Sequence, residues 1–410
     1  MAISVNMASR LSLGGFLAKA RAALTAPAAQ RKGPLTFVVG NESAGKSSTT
    51  YNSTQSQLTE TDLDSLCSAL VYAYMRTHTP PHTLHIPLSN LPRDDLALRT
   101  EMSAVLKHAG LTLKDLITLS ELPDLKPEET HWLLVDHNSL TGPLKKFSDR
   151  VTGCVDHHAD ENVIGKDASP RVVEPCGSCM SLVVDETRKI WEEISHLDPE
   201  DSDAATENDK LTRLALAPII SDTINLTAKE KVREKDLKAV EFLEGRFHKP
   251  FDRTAYFDEI SAVKEDISDL SFRDILRKDY KEWDGSGLKL GISCVVRDFN
   301  YLVNKAGASE PLIDAFEDWA KERELDVASI MTTSHPNGEF QRHLLVWGVT
   351  DQGREAVDRF VQAGDKLKLE TWKEGELDHH GHKRFAWRQK ELAASRKQVA
   401  PLLREALKKS

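Results

Sequence analysis

Short apolar runs alternate with stretches of helical periodicity through the first 250 residues of the chain. Runs of strand length occur at 35–40, 83–87, 132–135 and 151–155, and helical patterns occur at 11–24, 67–76, 94–109, 180–194 and 211–220. Strands that alternate with helices are typical of a parallel sheet with helices on both faces. The pattern therefore predicts an α/β domain.

The pattern changes after residue 250. Helical patterns occur at 257–269, 272–278 and 310–322, strand patterns at 289–296 and 344–350, and a basic helical pattern at 387–408. These elements predict a smaller α+β domain that faces the first domain across a cleft holding the active site. The acidic stretch 198–209 predicts a surface loop, and 227–245 has helical character. The predicted organisation is an N-terminal helical segment (1–34), a first domain (35–228), a linker helix (229–249) and a second domain (250–410).

Composition limits the binding partners of the chain. Its 410 residues are 40% hydrophobic and 29% charged, which favours two globular domains. The formal net charge of −10 gives no general attraction for nucleic acid or for another anion. An anionic substrate therefore requires a local group of cations. Residues 383–410 carry nine Lys or Arg against Glu391 and Glu405, although a solvated helix face can have the same composition.

The cysteines, the apolar runs and the charge of the N-terminal segment indicate the cellular compartment of the protein. Five cysteines without regular spacing indicate a reducing compartment. No apolar run approaches the ~18 residues that span a bilayer, so we expect a cytoplasmic monomer without membrane contact. The first 41 residues carry five Lys or Arg and no acid, which is typical of mitochondrial transit peptides. An ordinary amphipathic helix at 11–24 explains the same segment, and both interpretations stay open.

Acidic residues and histidines cluster near the ends of apolar runs or at the start of a helical pattern. They are Asp62, Asp64, Asp136, Asp156, His157, His158 and Asp222. The carboxyl ends of parallel strands converge on the crevice where open α/β sheets bind ligands. Carboxylate oxygens and imidazole nitrogens are ligands for divalent cations. The sequence therefore predicts a site for two divalent metal ions.

A nucleotide-binding motif competes with this interpretation. Residues 40–47 match the pattern G-x4-G-K-S and follow a predicted strand. Such a loop needs a helix that begins at the lysine, because the first-turn amides of that helix bind phosphate. Lys46 is instead followed by polar and β-branched residues that form helices poorly. The motif is therefore the weaker hypothesis.

The segment Cys176-Gly-Ser-Cys179 has no second cysteine pair to complete a zinc site. It therefore predicts a turn before a helix.

Removal of residues 45–61 joins Asn41 and the following Glu-Ser-Ala to Asp62-Leu-Asp64-Ser. The spacing Asn-x3-Asp-x-Asp then resembles the first motif of the DHH phosphoesterase superfamily. Three later segments resemble the second, third and fourth motifs of that superfamily, in the same order. They are Val135-Asp136-His137, Asp156-His157-His158 and Ser221-Asp222-Thr223. Four ordered matches make this resemblance specific.

Within the superfamily, the chain is most similar to the fungal cytosolic exopolyphosphatases, which are related to the family II inorganic pyrophosphatases. The pyrophosphatases carry His at the position of Asn41. Residues 276–282 and 395–398 resemble phosphate-binding segments of the DHH-associated C-terminal domain, DHHA2. The resemblance covers residues 35–405 and is interrupted at 45–61. Codons for that segment can contain splice signals, so we interpret it as a retained intron or, failing that, as a disordered insert.

The resemblance implies a set of site residues and two divalent ions, Mn²⁺ or Mg²⁺. It implies Asp62 as ligand of the first ion, Asp64, His157 and Asp222 as ligands of the second, and Asp136 as the bridge between them. His158 and Asp136 would be the catalytic residues. The implied substrate-binding residues are Asn41, His158, Lys281, Arg396 and Lys397.

The resemblance also implies an activity. We expect an exopolyphosphatase that releases terminal orthophosphate from inorganic polyphosphate through a water activated by two metals. The alternatives are a pyrophosphatase, a nucleotide phosphodiesterase and a non-catalytic scaffold of the same superfamily. Asn41 disfavours the pyrophosphatase, and the absence of an evident base-stacking segment disfavours the phosphodiesterase. A scaffold is disfavoured because none of the expected metal carboxylates is replaced.

Overall fold

The computed structural model describes residues 10–31, 33–41, 62–195 and 202–408. Two predicted features lie outside these residues. They are the interruption at 45–61, which includes Lys46 of the nucleotide-binding motif, and the start of the acidic loop. The chain forms two compact units, the first ending at Lys264 and the second beginning at Glu265. The partition expected from sequence, with a boundary after residue 249, stays a prediction.

A five-stranded parallel sheet forms the centre of the first unit. Its strands are β1 (Leu35–Val39), β2 (His85–Leu88), β3 (Thr130–Val135), β4 (Val151–Asp156) and β5 (Arg171–Val173), in the order β2-β1-β3-β4-β5. All neighbouring strands are parallel. The residues that follow β1, β3 and β4 therefore share one edge of the sheet.

Helices cover both faces of this sheet. Those in the described residues are α1 (Leu13–Thr25), α2 (Asp62–His78), α3 (Thr100–His108), α4 (Cys179–Ser195), α5 (Ser202–Asp222), α6 (Glu234–Glu244) and α7 (Arg253–Glu265). Successive side chains of β3 point to opposite faces of the sheet and therefore pack in two different hydrophobic cores. Leu133 packs with α2, α4 and α5, whereas Trp132 stacks between Phe37 and Phe147.

The second unit contains a six-stranded mixed sheet with the order β10-β11-β9-β8-β7-β6. Its strands are β6 (Tyr280–Gly285), β7 (Leu288–Val295), β8 (Val327–Thr332), β9 (His343–Gly348), β10 (Leu369–Thr371) and β11 (Arg384–Gln389). Strands β7 and β8 are parallel, and the other pairs are antiparallel. The helices are α8 (Phe272–Lys278), α9 (Phe299–Ala306), α10 (Ser309–Glu322), α11 (Asp351–Ala363) and α12 (Arg396–Leu407). The predicted α/β class, with a second α+β part, is confirmed.

The structure corrects three predicted elements. The basic helix expected at 387–408 begins only at Arg396, because residues 384–389 pair with β9 as strand β11. The acidic stretch expected to be a loop is helical from Ser202, where it extends the buried helix α5. The helix expected at 94–109 is divided into a 3-10 helix and α3, with Arg99 at the junction.

Candidate metal centre

Asp136 directly follows strand β3. Its backbone φ of +64° lies in the left-handed region, which costs free energy for a residue with a Cβ and often marks a functional constraint. Its amide donates to the carbonyl of Val155 (3.0 Å), and its Oδ2 accepts a hydrogen bond from the hydroxyl of Ser65 (2.5 Å). The carboxylate is fully buried. These contacts hold it between β4 and the start of α2.

Strand β4 brings two histidines to the same carboxylate. Asp156 ends the strand, and His157 and His158 follow it. Nε2 of His157 lies 3.1 Å from Oδ1 of Asp136, and Nδ1 of His158 lies 3.7 Å from the same oxygen. One ligand atom from each of Asp136, His157 and His158 lies within 4.8 Å of the other two. The three side chains are close enough to hold a metal ion together.

Hydrogen bonds through Nδ1 orient both imidazoles. Nδ1 of His157 donates to the carbonyl of Cys176 (3.0 Å), and Nδ1 of His158 donates to Oδ1 of Asp156 (2.8 Å). A donor bond at Nδ1 leaves Nε2 of the ring for another partner, which is the usual arrangement of ligand histidines. The carbonyl of Cys176 and the carboxylate of Asp156 thus keep the proton on Nδ1 of each ring, which is the tautomer that metal binding through Nε2 requires.

Two further acids come from helices. Asp64 lies in the first turn of α2, because this helix begins earlier than the helical pattern at 67–76 predicted. Its Oδ2 accepts a hydrogen bond from the amide of Cys179 (2.6 Å), and its Oδ1 accepts one from the amide of Met180 (3.0 Å). Asp64 therefore holds the N-terminus of α4. Asp222 is the last residue of α5, and its Oδ2 is buried without a hydrogen-bond partner.

Negative charge exceeds positive charge in this buried group. Burial raises the pKa of Asp222 well above its ordinary value, and the charges of Asp64 and Asp136 raise it further. Burial likewise raises the pKa of Asp136. Burial disfavours the charged form of His157, but the ion pair with Asp136 and the neighbouring carboxylates raise its pKa to about 10. Burial is therefore the largest cause of the two carboxylate shifts, and the adjacent carboxylates cause the shift of His157.

The residues fit a divalent cation. Within this group of side chains, Oδ2 of Asp222 is buried without a hydrogen-bond partner in the described structure, and Oδ1 of Asp136 and Nε2 of His157 form a 3.1 Å ion pair with each other. Buried polar atoms are costly unless a partner binds them. Mn²⁺ accepts both carboxylate oxygen and imidazole nitrogen, and Mg²⁺ prefers oxygen. From here on, the metal centre means Asp64, Asp136, His157, His158 and Asp222.

Asp156 and Asn138 support the metal centre, a role that the sequence interpretation did not assign. Nδ2 of Asn138 donates to Oδ2 of Asp156 (2.6 Å) and to the carbonyl of Ala159 (3.0 Å). Burial acts to raise the pKa of Asp156, but the hydrogen bond from His158 lowers it. Asp156 therefore stays charged and holds His158. Its position at the start of the Asp-His-His motif was the available signal.

Gly40 and Asn41 follow strand β1. A Cβ on Gly40 would lie 2.5 Å from the carbonyl oxygen of Ser65, so glycine is needed for this close approach to α2. Asn41 is half-buried at the end of the strand. The side chain of Asp62 lies outside the described atoms, so its predicted role rests on the sequence.

The three cations predicted to bind phosphate lie in the second unit and form the cationic cluster: Lys281, Arg396 and Lys397. Lys281 is in β6, and the other two begin α12. Nη2 of Arg396 pairs with Oδ1 of Asp279 at 2.8 Å. Burial lowers the pKa of Lys281, and the charges of Arg396 and Lys397 lower it further. The three cations are therefore close enough to repel one another.

The N-terminus of α12 adds backbone donors to the cationic cluster. The hydroxyl of Ser395 caps the helix by accepting a hydrogen bond from the amide of Lys397 (3.3 Å). The first turn contains no acid, although the helix dipole favours negative charge there. Two cations at this position favour the binding of an anion, as helix N-termini commonly do for phosphate.

Comparison with known proteins assigns the family. Residues 258–406 match the model of the DHHA2 domain. A Schizosaccharomyces pombe protein named as an exopolyphosphatase is 31% identical to this chain, across 97% of this chain and 99% of that protein. The chain belongs to the DHH phosphoesterase superfamily, in its exopolyphosphatase family. The resemblance inferred from sequence is confirmed.

Further known proteins are similar over most of the chain. Exopolyphosphatase PRUNE1 of Rattus norvegicus is 28% identical across 96% of this chain and 78% of that protein, and the Homo sapiens protein of the same name is 27% identical across 96% and 79%. A Methanococcus jannaschii structure described as a family II inorganic pyrophosphatase aligns with a TM-score of 0.49 and 19% identity, across 91% of this chain and 99% of that one.

In the part of the chain that the structure describes, no helix has the length and hydrophobicity needed to cross a membrane.

Proposed function

We propose that this chain is a metal-dependent exopolyphosphatase, which releases terminal orthophosphate from inorganic polyphosphate by attack of water. The observation that carries the proposal is the convergence of Asp136, His157 and His158, whose ligand atoms lie within 4.8 Å of one another. Relatives named as exopolyphosphatases, one of them similar over nearly the full length, support the choice of substrate.

Two divalent ions, Mn²⁺ or Mg²⁺, would be held at the metal centre. Asp136 would bind both ions, Asp62 the first, and Asp64, His157 and Asp222 the second. When bound, the ions polarise the phosphoryl group and lower the pKa of a water molecule. The buried Oδ2 of Asp222, which has no hydrogen-bond partner in the described structure, and the close approach of Asp136 to His157 support this assignment. Oδ1 of Asp64 accepts hydrogen bonds from the amide of Met180 and from the hydroxyl of Ser68 (2.9 Å). Its Oδ2 accepts only the amide of Cys179 among the described residues and keeps acceptor capacity, because a carboxylate oxygen has two lone pairs.

His158 would act on the phosphate and the leaving oxygen. Burial disfavours its charged form, but the hydrogen bond to Asp156 raises its pKa. Because Nδ1 donates to Asp156, the proton on Nε2 of the charged ring is available to the leaving group. The side chain is 26% exposed, which leaves room for a substrate.

The cationic cluster would bind the polyphosphate chain, with Asn41 and His158 as further contacts. A guanidinium offers two parallel donors to a phosphate group, so Arg396 is suited to orient the substrate. The chain as a whole carries a net charge of −10, and therefore only local cations can attract such an anion.

One assay tests the proposal against its alternatives. Phosphate release is measured from long polyphosphate, triphosphate, pyrophosphate and a dinucleotide, each with Mn²⁺, Mg²⁺ or a chelator. We expect release from long polyphosphate with either metal and none with the chelator. Release from pyrophosphate alone would identify a pyrophosphatase, and cleavage of the dinucleotide alone a phosphodiesterase. No hydrolysis of any of the four would indicate a scaffold.

A further inference from the structure

Four consecutive amides at the start of helix α4 donate to two buried carboxylates. The amide of Gly177 donates to Oδ2 of Asp236 (2.9 Å), and the amide of Ser178 donates to Oδ1 of Asp236 (3.2 Å). The two amides that follow donate to Asp64, a member of the metal centre. The N-terminus of a helix carries unsatisfied amides and partial positive charge, which explains why it accommodates two acids.

Asp236 has more contacts than a helix cap requires. It lies in the first turn of α6 and is fully buried. Besides the two amides, it accepts hydrogen bonds from the hydroxyl of Ser181 (2.6 Å), the thiol of Cys176 (3.1 Å) and the amide of Arg233 (2.7 Å). One carboxylate thus fixes the turn at 176–178 through both its backbone and its side chains.

The same turn holds a ligand of the metal centre. The carbonyl of Cys176 accepts the Nδ1–H of His157 at 3.0 Å. This carbonyl belongs to the peptide group whose N–H, at Gly177, donates to Asp236. Because a peptide group is planar and rigid, the carboxylate that holds its N–H also fixes the direction of its C=O. Asp236 and His157 therefore bind opposite edges of one peptide group.

Gly177 shows how closely the turn is enclosed. A Cβ at this position would lie 2.6 Å from Oδ2 of Asp236 and 2.8 Å from Cγ2 of Thr223, which follows Asp222 in the sequence. The turn is therefore packed between Asp236 and the chain next to another metal-centre residue. Any side chain at residue 177 must displace one of these neighbours.

We infer that Asp236 is a positioning residue for the metal centre, which acts on His157 through the peptide group between Cys176 and Gly177. The inference rests on the proposed function, because it assumes that His157 binds a metal ion. Partners that orient a ligand histidine typically contribute 10–100-fold to metal affinity. Asp236 does not itself touch metal or substrate.

Titration of the full chain with Mn²⁺ by calorimetry tests this inference. Asp236→Asn preserves the volume of the side chain but presents an amide donor to one of the two backbone amides, so we expect a loss of Mn²⁺ affinity of about tenfold. Asp236→Ala should lose up to about 100-fold. Val240→Ala is the matched control, because Val240 is buried in the same helix but has no polar side-chain atom to bind the turn, and it should lower stability but not affinity.

A double-variant cycle separates positioning from general destabilisation. Asp236→Asn combined with His157→Ala should bind Mn²⁺ no more weakly than His157→Ala alone, because the first residue acts through the second. Additive losses would overturn the inference, as would wild-type affinity in Asp236→Asn. Should Asp236→Ala fail to fold, Asp236→Asn decides the question alone. Absence of Mn²⁺ binding by the wild-type chain would instead overturn the proposed function.

Discussion

The two units carry polar groups of opposite charge, because acids predominate in the metal centre of the first unit and cations form the cationic cluster of the second. In the metal centre, burial disfavours the charged form of His157, but Asp136 and the neighbouring carboxylates raise its pKa to about 10. In the cationic cluster, burial and neighbouring cations lower the pKa of Lys281. Excess buried charge is costly unless an ion of opposite sign binds. The contrast agrees with the proposal that the first unit binds cations and the second binds anions.

The two groups also differ in how they are built. Backbone geometry places the metal centre: Asp136 has a left-handed φ, and the turn at 176–178 fixes His157. Long side chains from strand β6 and the start of α12 form the cationic cluster, where Arg396 forms an ion pair with Asp279. Substitutions in the first group should therefore remove metal and turnover, and those in the second should weaken substrate binding.

Loss of the acid shared by both ions should have the largest effect. We expect Asp136→Asn to reduce turnover by roughly 10⁴-fold or more, as removal of a central catalytic group does, while the fold is retained. Phosphate release at saturating Mn²⁺ and circular dichroism measure the two properties. Asp124→Asn, at an almost fully exposed acid in the same unit, is the control. Unchanged turnover in Asp136→Asn would remove Asp136 from the site.

His158 tests whether the second histidine acts on substrate or on metal. His158→Ala should lower kcat by about 10²–10⁴-fold, because a general acid is lost. The Mn²⁺ stoichiometry should stay at that of the wild type. His108→Ala, in the same unit but paired with Glu259, should change neither quantity. A reduced stoichiometry in His158→Ala would show that this histidine is a metal ligand.

Acidification should weaken metal binding to the first unit. The pKa of His157 is about 10 without a metal, so an ion must displace its proton at any lower pH. The apparent Mn²⁺ affinity should therefore rise with pH, by up to about tenfold per unit between about pH 6 and pH 8. Calorimetric titrations across this range measure the slope, which His157→Ala should reduce. A flat profile in the wild type would contradict the charge balance described here.

A substitution in the cationic cluster should have the smallest effect. We expect Arg396→Ala to raise KM for long polyphosphate about tenfold, because a charge-assisted contact contributes about 1.5–3 kcal/mol. The Mn²⁺ stoichiometry should not change. Arg388→Ala, at an exposed residue of β11, is the matched control. Loss of a bound metal in Arg396→Ala would break the division of roles between the units.

The sequence was sufficient where a motif is local. Asp136, His157 and His158 could be predicted because each follows a short apolar strand, and the parallel order of β3 and β4 brings them together. The supporting contacts could not be predicted. Asp236 reaches the turn at 176–178 from another helix, and the hydrogen bond from Asn138 to Asp156 joins the ends of two strands. Such contacts depend on tertiary packing.

The element errors have a similar cause. The basic pattern at 387–408 predicted a helix along its whole length, but pairing of residues 384–389 with β9 overrides that pattern at its start. Strand β8 was missed, although all of its residues are buried, because a short apolar run between helices has no distinctive period. Local propensity is a weak guide where pairing and burial decide the structure.

Diffraction from crystals grown with Mn²⁺, recorded at the manganese absorption edge, tests the central claim most directly. We expect two anomalous peaks about 3.5–4 Å apart, both next to the carboxylate of Asp136 and one of them next to Nε2 of His157. A map without a peak at Asp136 would contradict the assignment of the metal centre.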